Sequence, residues 1–278
     1  MVEDTWDEPR LERGKLSILL AVTLSSVTLF RFVELPTLNW GALQVFGSPL
    51  GFSLGGGALL TLLVVGLVAT GTLSIVRDHP LHESKERPLV FSLITPSVGA
   101  LLVSVFLIQA GTWPLWMAAL ILGGAIIGIL VHLSYQSISP RSPGYPGART
   151  LLNVVDYLMG FVLFSLILGQ QGRALITGPG VLLLSGLLAA ELLSATGSGI
   201  GGVLLYSGTI ALLESELAWV LGYWPISTWT AATMLTLGLY IWSGIGYQHL
   251  LGRLNRRIIT EFAVIGFLMF ALVLWIRP

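Results

Sequence analysis

Ionisable residues are rare in this chain, and those that interrupt its apolar stretches are the ones able to do chemistry. Asp156, Glu191 and Glu261 lie within roughly two turns of the ends of the fifth, sixth and ninth apolar runs, and His132 and His249 close the fourth and eighth. All five fall on one side of a membrane if the runs alternate in direction. Beside them comes the most polar segment of the protein, RDHPLHESKERP at 77–88, which supplies Arg77, Asp78, His79, His82, Glu83 and Glu86. Carboxylates can hold a cation, guanidinium groups a phosphate-bearing head group, and imidazoles a proton near neutral pH. Together they would form a polar basin facing the cytoplasm, the leading site expectation. The plainer reading is a solvated turn and acids that reach head groups or water.

A second set stands apart. ALLESELAWVLGYW, 211–224, places Glu214 and Glu216 in a stretch otherwise suited to lipid. At about 100° per residue the two project to nearly opposite sides of a helix, so they need separate partners. A bare charge at bilayer depth costs at least a few kcal/mol, so each acid should be protonated, paired or close to water. Arg31, at the same outer depth on the first run, is the expected counter-charge.

Several motifs are excluded by context. His79 and His82 show His-x-x-His spacing, but on a loop with Pro80 between them, and no metal is expected. No helix carries the paired histidines of a metalloprotease, and no serine sits in a nucleophile elbow, so no catalytic residue is assigned. Gly197, Gly199 and Gly202 match Gly-x-Gly-x-x-Gly, yet apolar runs flank them and no acid follows about 20 residues later. They read as a tight turn. The absence of cysteine removes disulfides and thiolate sites, and no cofactor is indicated.

The elements that must position these groups follow from composition. With 54% hydrophobic and 10% charged residues among 278, the chain is far from the roughly 25% charged content of a soluble domain. It reads as an all-α, polytopic transmembrane helix bundle. A span needs about 20 apolar residues, and nine candidates appear, at about 15–34, 51–76, 89–109, 113–134, 151–170, 179–196, 200–222, 228–248 and 258–276. With the amino terminus cytoplasmic, eleven of the fourteen Lys and Arg fall inside, leaving Arg31, Arg173 and Arg277 outside. Trp40, Trp113, Trp116, Trp219, Trp224, Trp229 and Trp275 then gather at the outer ends as an aromatic belt. The count drops to seven if the sixth and seventh runs form a re-entrant pair.

The expected organisation is a cytoplasmic tail at 1–14 and one helical domain at 15–278, with cytoplasmic loops at 77–88 and 135–150 and the carboxyl terminus outside. The mixed charge of the tail and the long run after it read as a retained helix, not a cleaved signal. Pro96 should kink the third helix. The pairs Gly51 and Gly55, Gly124 and Gly128, and Gly197 and Gly201 have the spacing that lets helices approach closely.

Nine helices with an acid-bearing cytoplasmic loop after the second resemble the intramembrane aromatic prenyltransferases. That resemblance implies magnesium and diphosphate held by an Asn-Asp-x-x-Asp-type motif followed by Arg-Pro. Here Asp78, Glu83 and Glu86 precede Arg87-Pro88, without the asparagine, and ATGSGIGG replaces the family's second aspartate motif. RDHP after the second run and YWPIS before the eighth also make the chain similar to an uncharacterised, domain-of-unknown-function family of bacterial multi-spanning membrane proteins. That likeness implies no activity.

The expected function is that of a non-catalytic accessory, assembly or lipid-binding subunit of the inner membrane. Its expected contacts are membrane lipids, with partner membrane subunits as a further class. The zero net charge gives no reason to expect nucleic acid. Two alternatives stay open: a proton- or cation-coupled small-solute transporter using Asp156, Glu191, Glu214 and Glu261, and a lipid-substrate enzyme using the 77–88 loop.

Overall fold

The computed structural model describes residues 13–33, 38–45, 48–78, 88–140, 142, 144–170 and 174–275. Among these residues nine α-helices form, each built on one of the nine apolar runs. They are α1 (Arg13–Phe32), α2 (Gly56–Arg77), α3 (Ile94–Gln109), α4 (Trp113–Gln136), α5 (Tyr145–Gly169), α6 (Ala174–Ser194), α7 (Ile200–Gly222), α8 (Thr228–Leu250) and α9 (Arg256–Trp275). Seven helical segments are long and apolar enough to cross a membrane: α1, α2, α3 with the turn before it, α4, α5, α6 and α7. The sixth and seventh runs are therefore two separate spans by length and composition. Gly197 joins them with φ 70°, a left-handed conformation that favours glycine.

Each helix packs against the next in sequence, and two large apolar cores form. Val64 and Val68 of α2 meet Ile127 and Val131 of α4 in one, with Leu19 of α1 beside them. Phe164 of α5, Leu188 and Leu193 of α6 and Leu235 and Leu239 of α8 build the other. Helix α3 contributes to both, through Ala100 and Val103 to the first and Ile94 and Val98 to the second. Outside the cores, Ile121, Leu122 and Ile129 of α4 and Phe267 and Leu268 of α9 are exposed. Apolar surface on this scale suits lipid, where every helical backbone group is already satisfied internally.

Four sequence expectations need correction. The second run does not start as helix at 51: strands β1 (Leu38–Val45) and β2 (Ser48–Leu54) pair antiparallel, and α2 begins only at Gly56. Pro49 and Gly51 disfavour helix, and in a two-stranded ribbon both strands are edges that tolerate proline. Pro96 does not kink a continuous helix. It lies in the first turn of α3, behind a 3₁₀ segment at Leu89–Leu93, where its missing N–H leaves no broken bond.

The loop expected at 135–150 is shorter, because α5 starts at Tyr145 with Pro146 in its first turn. Proline, read as a loop signal, is here a helix start, and Arg149 moves from a loop into a helix. Of the glycine pairs, only Gly124 and Gly128 mark a close approach, against Leu24 and Leu20 of α1. A Cβ on Gly55 or Gly201 would meet nothing within 4 Å, and Gly51 belongs to β2.

Candidate functional site

The polar centre of the molecule lies where the start of α5 meets the end of α6. Arg149, Asn153 and Asp156 recur at i, i+4 and i+7 along α5, one above another on a single face. Arg149 donates from Nη1 to Oε1 of Glu191 at 2.8 Å, and from Nη2 to the carbonyl oxygens of Glu191 and Leu192 at 2.9 and 3.2 Å. The last carbonyls of α6 have no helical partner of their own, and they carry the negative end of the helix dipole. One guanidinium thus satisfies both a carboxylate and a helix terminus. The Glu191 carbonyl also accepts from Ser194 Oγ at 2.6 Å. The pair is enclosed, with 9% of the Arg149 side chain and 1% of the Glu191 side chain exposed.

Asp156 is fully buried about three turns into α5. Its Oδ1 accepts from Thr95 Oγ1 at 2.8 Å, a bond delivered by the first turn of α3, and it stands about two turns from Arg149 on the same face of α5. Tyr157, the next residue, hydrogen-bonds Ser243 of α8 at 2.9 Å and packs edge-on against Tyr240. Arg149 Nε and Asn153 Oδ1 have no hydrogen-bond partner among the described residues. The cluster therefore joins α3, α5 and α6 around one cation and two carboxyl groups.

The other expected basin residues are placed differently. Arg77 and Asp78 end α2 at the surface, where Asp78 pairs with Lys15 of α1. His132 is exposed and shares a 3.1 Å hydrogen bond with Gln136. His249 stacks on Tyr206, with ring centroids 5.3 Å apart. Glu261 points outward, 57% exposed, and pairs with Arg257 of its own helix at 2.9 Å. His79, His82, Glu83 and Glu86 lie outside the described residues. Asp156 and Glu191 are thus the two basin residues gathered around Arg149, and no metal-ligand group of three His, Asp or Glu forms among the described residues.

The sequence places Arg149 in the loop expected at 135–150, so Arg149 does not stand out there as a site residue. Pro146 as a helix-start signal and the spacing 149, 153, 156 could have found it.

The outer set does not assemble as a pair. Glu214 is fully buried and Glu216 exposed, as their opposite projections require. Arg31 lies over Trp113 and Trp116, 5.8 and 6.0 Å from their ring centroids, where α1 packs against α2 and α4. Glu214 belongs to α7, which packs against α6 and α8, and neither carboxyl oxygen has a hydrogen-bond partner among the described residues.

A groove of about 740 Å³ runs between α2, α3, α5 and α6, beside the ionic cluster. Its walls are aliphatic apart from Ser97, Gln170 and Thr177, and the last two lie together where the end of α5 meets the start of α6. Ile94 and Ser97 line it on either side of Thr95, the donor to Asp156.

No curated protein and no solved structure matches this chain. A family model does, across both cores, the groove and the ionic cluster, leaving only α1 outside among the helices. On that match over residues 36–276, the chain belongs to the family described as Protein of unknown function (DUF5656).

Proposed function

We propose that this protein is a non-catalytic, lipid-binding subunit of the cytoplasmic membrane, with its amino terminus inside. The observation that carries the reading is the aliphatic groove between α2, α3, α5 and α6, with Gln170 and Thr177 together where α5 meets α6. A hydrocarbon chain would fill the aliphatic length while a polar group rested near those two side chains. The placement in the membrane rests on the seven apolar helices and on the inside bias of Lys and Arg. Helices α8 and α9, of 23 and 20 residues, are roughly 34 and 30 Å long, enough to complete nine crossings.

The test is lipid retention. After gentle purification, native mass spectrometry should find a lipid bound in stoichiometric amount. Val105→Trp, which fills the groove, should at least halve that occupancy, whereas Ile126→Trp on the exposed face of α4 should leave it unchanged. Equal retention by all three proteins would sink the groove as the site.

A second reading, proton- or cation-coupled solute transport, is favoured by the two carboxyl groups set against one guanidinium at Arg149. Buried carboxyl groups gathered at one cation are groups by which a membrane protein takes up and passes on a proton. Proteoliposomes under a pH gradient should then pass protons faster than empty liposomes, and Asp156→Asn should abolish the difference. Flux no greater than that of empty liposomes removes this reading.

A further inference from the structure

Glu214 is the buried ionisable group that the lipid-binding reading does not use. It projects from the face of α7 that also carries Val203, Ser207, Ile210, Ala211, Ala218 and Leu221, all buried. It stands roughly 21 Å from the start of its helix and 12 Å from the end, within the apolar depth of the bundle. A notch in α8 receives the carboxyl: a Cβ built on Gly238 would meet Glu214 Oε1 at 2.5 Å and its Cδ at 3.3 Å. The side chain is 0% exposed, and both of its oxygens are without a hydrogen-bond partner among the described residues.

No charge faces it. Helix α7 packs against α6 and α8. The ionisable residue of α6 is Glu191, committed to Arg149. On α8, Tyr240 packs against Tyr157 and Phe262, His249 stacks on Tyr206 of α7, and Tyr247 packs against the apolar core. An isolated carboxylate in such surroundings costs far more than the neutral acid, which remains as the form the packing accepts.

We propose that Glu214 is a proton-binding site in the α7–α8 seam, occupied as the neutral carboxyl when the seam is closed. Loss of the proton places an uncompensated charge against Gly238, so release requires the seam to part and admit water or a cation. The carboxyl thereby ties protonation to the spacing of two helices. This site is separate from the groove and from the Arg149 cluster, and it stands or falls without either.

Infrared spectroscopy of the full chain in lipid nanodiscs at neutral pH tests it directly. The spectrum should contain the C=O stretch of a protonated carboxylic acid, and that band should be missing from Glu214→Gln, which keeps the size and neutrality of the side chain. A wild-type spectrum without the band, or a band that Glu214→Gln leaves intact, overturns the proposal.

A second measurement uses wild-type protein alone, in case the variant does not fold. Dicyclohexylcarbodiimide is apolar and takes up protonated carboxyl groups. The acid proton passes to a carbodiimide nitrogen while the carboxyl oxygen bonds to the central carbon, and the adduct rearranges to a stable N-acylurea readable by peptide mass spectrometry. Labelling of Glu214 should change less than twofold between about pH 5 and pH 7. An ordinary glutamate, ionised above its usual value near 4.3, would slow by about tenfold per pH unit. That steep fall at Glu214 is the outcome that overturns the site.

Discussion

Two buried carboxyl groups, Glu191 and Glu214, sit on neighbouring helices of the same core and are handled in opposite ways. Glu191 meets a guanidinium at 2.8 Å, and its own main-chain carbonyl is bound by the same cation. Glu214 meets a glycine notch and no polar partner among the described residues. The first arrangement fixes charge in place and joins two helices. The second leaves a group whose charge the surroundings do not support. Burial alone therefore does not say what an intramembrane acid does: the partner, or its absence, decides between a tie and a site.

The comparison is broken most severely by taking away one half of the tie. Glu191→Ala should cost about 3–5 kcal/mol in reversible unfolding, because the Arg149 guanidinium is left buried without its counter-charge. Replacing both partners, as Arg149→Met with Glu191→Leu, should recover most of that loss. A thermodynamic cycle with coupling near zero would show that the pair is not a structural unit.

Next in size is the notch. Gly238→Ala puts a methyl group where Glu214 Oε1 now lies, so α8 or the carboxyl must move, at a cost of about 1–3 kcal/mol. Adding Glu214→Ala should relieve most of it, and a double mutant as unstable as the sum of the two would place the strain elsewhere.

Thr95→Val sharpens the comparison on the side of the tie. It removes the donor to Asp156 Oδ1 and should cost about 1–2 kcal/mol, measured in the same unfolding assay. The smallest effect belongs to the exposed pair of α9. Arg257→Ala should change stability by no more than about 0.5 kcal/mol, since solvent already screens its bond to Glu261. A larger loss would mean that α9 is covered in the membrane by something this chain does not supply.

Much of the helical architecture was legible because its signal is local. Runs of about 20 apolar residues produced all nine helices, with most boundaries within a few residues. The failures share a cause in proline and glycine, whose effect depends on where in an element they fall. Pro96 and Pro146 stand in first turns, where proline is at ease, and not in the helix middle or loop that the sequence suggested. Most of the β1–β2 ribbon lies in the connection between the first two apolar runs, and only the last residues of β2 fall within the second. Of the expected basin, Asp156 and Glu191 are buried, but Glu261 has the same depth by sequence and turns outward. A helix that packs mainly on one neighbour among the described residues, as α9 does on α8, leaves most of its faces free, and hydropathy cannot say which face that will be.

The sequence by itself determined that this chain folds into helices long and apolar enough to cross a membrane, because length and apolarity of a run are properties of consecutive residues. It also determined that Glu214 and Glu216 diverge, because the helical repeat is invariant. Only the tertiary structure decided which polar groups meet. Arg149 and Glu191 are 42 residues apart, and Thr95 and Asp156 are 61 apart, so their contacts depend on how whole helices cross and rotate. The same packing placed Gly238 opposite Glu214 and Trp113 beside Arg31, separating an acid and a base that depth alone would have paired.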